Sequence, residues 1–305
     1  MTNKKLAAKR LIIFLLLSFW MTYALFFIYI INIGWTMDSS WYGVMTASGM
    51  LMPAAANILT RIITKEGFEN SFLRMKISGN IRYFAIGLIL PVFSGVIISV
   101  VVCMTILPKG SLGNMFSNID AAYFFSIITY LFGITVAGTL FGFGEEFGWR
   151  GYMTPKLEIL FDSEKKRLSQ IIVFIIGGTI WGLWHAPIIA CGHNFGKDYP
   201  GYPWLGIGLM CISCICFGIY LTALTKASGS VLPAALAHMS INNITNSLSS
   251  TLLGNIELSD EIAESLNSGF SYKLIDMIVM SAVFLAAGVL IMITNTKKKK
   301  IEKTL

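Results

Sequence analysis

Apolar residues fall along this chain in long unbroken runs, not in the alternation of a half-buried strand or the narrow stripe of a surface helix. A run of about twenty apolar residues can cross the hydrocarbon of a bilayer as a helix. Eight runs fit that window, at residues 11–33, 41–64, 83–107, 121–140, 170–190, 204–224, 231–253 and 274–294. The fourth does not stop cleanly. Beyond it, Phe147, Tyr152, Leu157 and Leu160 keep helical spacing, and Pro155 should bend the segment. The first run is too long for a signal-peptide core and no small-x-small cleavage site follows it, so it is expected to stay as an anchor. There is no internal repeat and no low-complexity linker. The pattern predicts an all-α membrane protein, residues 1–305 forming one polytopic bundle of about eight transmembrane helices.

Composition agrees. The 305 residues are 55% hydrophobic and only 13% charged, against about 25% charged in an ordinary soluble domain. The net charge of +7 does not imply nucleic-acid binding, because the basic residues sit in connections and at the termini and form no face interleaved with aromatics. Their distribution orients the bundle instead. Lys4, Lys5, Lys9 and Arg10 precede the first run. Arg61, Lys65, Arg74, Lys76 and Arg82 surround the second connection, and Lys156, Lys165, Lys166 and Arg167 the fourth. Lys226 follows the sixth run and lysines 297–300 the eighth. The odd connections hold only Lys109, Lys197 and Lys273, and the seventh carries Glu257, Asp260, Glu261 and Glu264. Cytoplasmic connections are the lysine- and arginine-rich ones, so both termini are expected in the cytoplasm of a cell-membrane protein.

The five cysteines lie in apolar runs or at their edges. Cys211-x-x-Cys214-x-Cys216 faintly resembles a metal site, but no second ligand pair follows, and packing is the simpler role. No disulfide framework is implied.

Ionisable groups at membrane depth are rare and functional by default. Gly144-Glu145-Glu146-Phe147-Gly148-Trp149-Arg150 places two carboxylates and a guanidinium after an apolar run. Glu146 and Arg150 are four apart and can pair on one helix face. Glu145 is turned about 100° away and is free to point into the bundle, where an unpaired buried carboxylate suits a general base acting on water. His185, followed by Ala186 and Pro187, can open toward a cavity where the proline breaks the helix. His238 and Asn242 are four apart on one face and can both donate to the oxyanion of a tetrahedral intermediate. Asn243 is expected on the wrong face, and His193 reads as a loop residue. With the hairpin turn at residues 162–168, Glu145 and His185 each lie about 25 Å from it, and His238 about 10 Å into its own helix. They share a level only if the hairpin projects into the cytosol, which puts the site in the cytoplasmic half of the membrane.

The Glu-Glu-x-x-x-Arg, Trp-x-x-x-His and His-x-x-x-Asn sets together resemble the CAAX-protease and bacteriocin-processing (CPBP, or Abi) family of intramembrane proteases, which includes the type II CAAX prenyl endopeptidases. The resemblance covers residues 125–253. It implies an eight-helix bundle whose first Glu and first His (Glu145, His185) activate water, whose second His and Asn (His238, Asn242) hold the oxyanion, and whose Glu146 and Arg150 support them. Trp181 stands where the family pattern has Phe. The substrate implied is a membrane-associated peptide, either a prenylated CAAX-type tail or a precursor peptide. Glu145, His185 and His238 would also make a three-ligand Zn²⁺ site with an open fourth position, which would make this a metalloprotease. The HExxH spacing of soluble metallopeptidases is absent, and a metal-free Glu/His mechanism is favoured. Two other classes compete: a non-catalytic immunity or scaffold protein of the same family binding peptide in the same cavity, and a transporter with a carboxylate relay. The latter lacks the expected inverted repeat.

Overall fold

Helices form wherever the apolar runs predict them, but they are not eight equal spans. The computed structural model describes residues 3–74, 77–116, 120–163, 166–254, 256, 258–259 and 269–304. Lys76, Lys165, Glu257, Asp260, Glu261 and Glu264 lie outside the described residues, as do the side chains of lysines 297–300. In chain order the helices are α1 (Asn3–Ile33), α2 (Trp41–Ile63), α3 (Ile81–Thr105), α4 (Ser111–Asn114), α5 (Ala121–Gly148), α6 (Thr154–Phe161), α7 (Arg167–Trp184), α8 (Ala186–Ala190), α9 (Trp204–Ser228), α10 (Leu232–Ser240), α11 (Asn246–Gly254) and α12 (Phe270–Thr304). Wide π-helical turns, Trp149–Met153 and Ile241–Thr245, join α5 to α6 and α10 to α11.

Among the described residues six helices are long and apolar enough to cross a membrane: Asn3–Ile33, Ile81–Thr105, Phe124–Phe161, Arg167–Trp184, Trp204–Ser228 and Phe270–Thr296. The other two expected spans are helical but differ in character. α2 carries the buried polar residues Asn57, Thr60 and Arg61. The run 231–253 is divided by the second wide turn.

The polar face of α2 has a structural reason. Pro155 has no N–H, so the carbonyl of Gly151, four residues earlier, has no ordinary helical donor. Arg61 Nη2 donates to that carbonyl at 3.4 Å, and Asn57 Nδ2 donates to the Phe147 carbonyl at 2.8 Å. Arg61 is itself held by Asn57 Oδ1 at 2.7 Å. The bend expected at Pro155 is thus taken up one turn earlier, by a widened turn whose backbone α2 satisfies. The connection from α6 to α7 falls at residues 162–166, where the hairpin turn is expected.

The helices carrying the charged motif meet their neighbours backbone to backbone, the small-residue contact that membrane helices use where there is no hydrophobic drive to associate. A Cβ on Gly144 would stand 2.5 Å from the Met50 carbonyl oxygen, and one on Gly148 would stand 2.4 Å from Pro53 Cβ. On α7, a Cβ at Gly178 or Gly182 would lie 2.4 Å from the Cα of Ile215 or Cys211 on α9. Neither α5 nor α7 can shift without opening these seams.

The two ends of the bundle differ in charge. At the end where α1 begins, Lys4 pairs with Asp162, Arg10 (3.3 Å) and Lys156 with Glu66, and Lys226 with Glu158. Val231 N–H donates to the Phe72 carbonyl at 3.0 Å, tying the sixth connection to the second. Glu66 there is held below the usual carboxylate range: burial opposes its charge, but hydrogen bonds from Lys156 and Tyr152 and the charges of Lys156 and Arg10 outweigh that. At the other end Lys197 donates to the Trp35 carbonyl, Tyr29 hydroxyl to the Thr36 carbonyl at 2.9 Å, and Tyr199 stacks on Phe270 with ring centroids 4.9 Å apart.

Candidate active site

Glu145 lies on α5 just before the wide turn and is 2% exposed. It does not face lipid. Trp181 Nε1–H donates to its Oε2 at 2.8 Å, and Trp149 Nε1–H to the same oxygen at 3.3 Å. Both donors fall on Oε2, so Oε1 is the oxygen left for the cavity that Glu145 lines. Glu146 faces the other way. Its Oε1 accepts from Arg150 Nη1 at 3.0 Å and from His238 Nδ1 at 2.8 Å, while Oε2 is buried with no hydrogen-bond partner among the described residues. The adjacent carboxylates therefore split as their helical phase predicts.

His185 sits at the break between α7 and α8, with Pro187 in the first turn of α8. Its Nδ1 meets the Trp181 carbonyl at 2.8 Å. A carbonyl only accepts, so Nδ1 carries the hydrogen and Nε2 is the free nitrogen. His238, on α10, has Nδ1 against a carboxylate, which likewise leaves Nε2 toward the cavity. Trp181 stands at the centre of this group. Its ring lies 4.1 Å from the Arg150 guanidinium and 5.5 Å, edge to face, from His238.

Glu145, His185, His238 and Asn242 all line one cavity of about 400 Å³. Glu146 and Arg150 lie behind its wall and are buried at 0% and 4% exposure. Asn243, expected to face away, lines the cavity beside Asn242. The wide turn Ile241–Thr245 is the cause, because a π-helical turn brings residue i+5 where an α-helix brings i+4. His193 lies in the loop, as expected, and also lines the cavity, with Nδ1 2.8 Å from the Tyr42 hydroxyl. Burial pushes it down to about 4.

The metal alternative finds no support in the donor set. Glu145, His185 and His238 border one cavity, but among the described residues no three His, Cys, Asp or Glu are placed to hold a metal ion. Among the described residues Cys211, Cys214 and Cys216 do not form such a group either, and the five cysteines are free and buried or half-buried.

Two results are expected from these contacts. Trp181→Phe keeps the ring but removes the closer donor to Glu145. A hydrogen bond to a charged group is worth about 1.5–3 kcal/mol, so turnover should fall roughly 10- to 100-fold if the bond persists in the transition state, and the pH profile of kcat/KM should move. A purely packing Trp181 would leave that profile in place. His193 has its folded-state value below the 6.5 of a free imidazole. Between pH 6.5 and about 4 the unfolded chain therefore binds a proton there that the folded chain refuses. Stability falls as pH drops through that window. His193→Gln should remove that part of the slope, read as thermal unfolding in detergent against pH.

Residues 125–244 match the family described as type II CAAX prenyl endopeptidase Rce1-like. The match begins where the sequence resemblance was placed and contains Glu145, Glu146, Arg150, His185, His238 and Asn242. Over 148 residues the chain is also 30% identical to CAAX prenyl protease 2 of Methanococcus maripaludis, which covers 47% of this chain and 50% of that protein. The chain thus spans about half the length of that curated relative.

Proposed function

Because residues 125–244 match the family described as type II CAAX prenyl endopeptidase Rce1-like, we propose that this protein is an intramembrane endopeptidase hydrolysing a peptide bond of a membrane-associated peptide, a CAAX-type tail or a precursor. One observation carries this reading: Glu145, His185, His238 and Asn242, spread over about a hundred residues of sequence, border a single cavity sunk in an apolar bundle.

Glu145 Oε1 takes a proton from a water that His185 Nε2 orients, and the hydroxide attacks the scissile carbonyl carbon. The C=O becomes an oxyanion held by the Asn242 amide and by His238 as an imidazolium, which keeps its Nδ1–H on Glu146 and donates from Nε2–H. Collapse re-forms the carbonyl and breaks the C–N bond, and the leaving amine takes the proton back from Glu145. Glu146 fixes the His238 ring through Nδ1, and Arg150 neutralises Glu146. The protein resides in the cell membrane with both termini in the cytoplasm, as the lysine and arginine pattern favours.

The test uses purified protein in detergent with a quenched fluorogenic peptide ending in a farnesylated CAAX sequence, and with its unprenylated counterpart. Wild type should cleave at least one, and His185→Ala neither. Equal cleavage by both proteins would end the proposal.

A further inference from the structure

The residues that line the cavity extend toward one end of the bundle. At the end where α1 begins, the bundle is packed closed by Trp149, Tyr152 and Phe14, none of them lining the cavity and each 0% exposed, with the Phe14 ring 5.7 Å from Trp149 and 5.1 Å from Tyr152. Glu146 and Arg150 seal the wall beside them. Toward the other end the lining passes along the first part of α2 at Met50 and Thr46, then past Ile188 to His193 and Asn194. Asn194 is exposed, in the loop between α8 and α9. On α2 the residues nearer the closed end, Asn57 and Arg61, support the wide turn and do not line the cavity.

The closed end is the basic end. The second, fourth and sixth connections meet there, and contacts among Glu66, Lys156, Arg10, Glu158, Lys226, Phe72 and Val231 tie them together. The open end gathers the first and fifth connections and the start of α12, and Lys197 and Lys273 are the cations of that cluster. Short connections rich in Lys and Arg stay on the cytoplasmic side of a membrane.

Putting the two observations together, we infer that the active-site cavity opens to the extracytoplasmic face. Its substrate is a peptide segment presented at the outer surface, in a secreted or membrane-anchored precursor, and not a tail in the cytosol. This rests on the peptidase reading above and narrows its substrate class. It also separates depth from access: the carboxylate is held well below the surface, but the path to it leads away from the cytoplasm.

Two exposed positions distinguish the faces. Asp198 lies on the loop beside the cavity mouth, and Glu69 lies in the second connection at the basic end. Asp198→Cys and Glu69→Cys are each expressed in cells and treated with a membrane-impermeant maleimide. The unsubstituted chain, whose five cysteines are buried or half-buried, gives the background. Asp198→Cys should label in intact cells, and Glu69→Cys only after permeabilisation. The reverse pattern, or labelling of both in intact cells, overturns the proposal.

A second arm tests the cavity itself. Right-side-out membrane vesicles given the charged, unprenylated fluorogenic peptide from outside should cleave it, and inside-out vesicles should not. Cleavage by inside-out vesicles alone overturns the outward opening and leaves the peptidase standing. If the detergent-solubilised wild type cleaves neither peptide, the peptidase reading fails, and the labelling still decides which face the mouth loop occupies.

Discussion

Glu145→Gln is expected to yield a folded protein whose peptide cleavage is reduced by roughly 10²- to 10⁴-fold, the range that a positioned general base contributes. The substitution is nearly isosteric. Its carbonyl oxygen can still accept from the Trp181 and Trp149 indoles, which hold Oε2 now at 2.8 and 3.3 Å. What is lost is the capacity to take a proton from water. Turnover and thermal unfolding should be measured on the same sample. Wild-type turnover would remove Glu145 from the reaction, and loss of the unfolding transition would mean that its charge holds the fold instead.

The neighbouring residue should behave in the opposite sense. Glu146→Leu removes the carboxylate that pairs with Arg150 at 3.0 Å and accepts from His238 at 2.8 Å, all three groups being buried. Taking one partner out of a buried ion pair costs about 3–5 kcal/mol, because the other charge remains desolvated and uncompensated. The expected result is a large drop in thermal or denaturant stability in detergent, with cleavage lost as a consequence. Removing both charges in Glu146→Leu/Arg150→Leu should recover much of the stability, since apolar replacement of a whole buried pair is often neutral. A Glu146→Leu protein as stable as wild type would show that Arg150 finds another counter-charge. Two adjacent glutamates, one deciding rate and the other stability, would then be separated by helical phase alone.

Much of this was legible in the chain. Long apolar runs dictate helices because nothing else satisfies the backbone in hydrocarbon, and the hairpin at residues 162–166 follows from where those runs stop. Glu145, His185, His238 and Asn242 stood out because polar groups on an apolar background need a reason, and the structure brings them to one cavity. Other features left no local signal. Trp149 and Trp181 carry no sequence sign of their contact with Glu145, since an indole N–H becomes a carboxylate donor only through tertiary placement. Trp181 in the position of a Phe looked like an aromatic exchange, yet it adds a hydrogen bond that Phe cannot make. His193 is the loop residue its sequence position implies, but sequence gives a loop no depth, and the fold sets this one against the cavity. Asn243 was misplaced because a uniform α pitch was assumed through Ile241–Thr245. The Zn²⁺ triad rested on residue types, and types that border one cavity need not stand close enough together to share an ion. Arg61 reads in sequence only as one of the basic residues of the second connection, but in the fold it donates to the carbonyl that Pro155 leaves without a donor.

The two wide turns have a further implication for how the chain tolerates change in length. Each holds one more residue per turn than the helix around it and starts three residues beyond a candidate site residue, Trp149–Met153 after Glu146 and Ile241–Thr245 after His238. Deleting a single residue from either should restore an ordinary helix and keep everything beyond it in phase, because five residues there cover the arc of four in an α-helix. The same loss in the helix just before would swing all that follows by about 100°, and Lys156 would leave Glu66. Single deletions in these turns that spare Asn242 should therefore be more forgiving than deletions in the helices that lead into them.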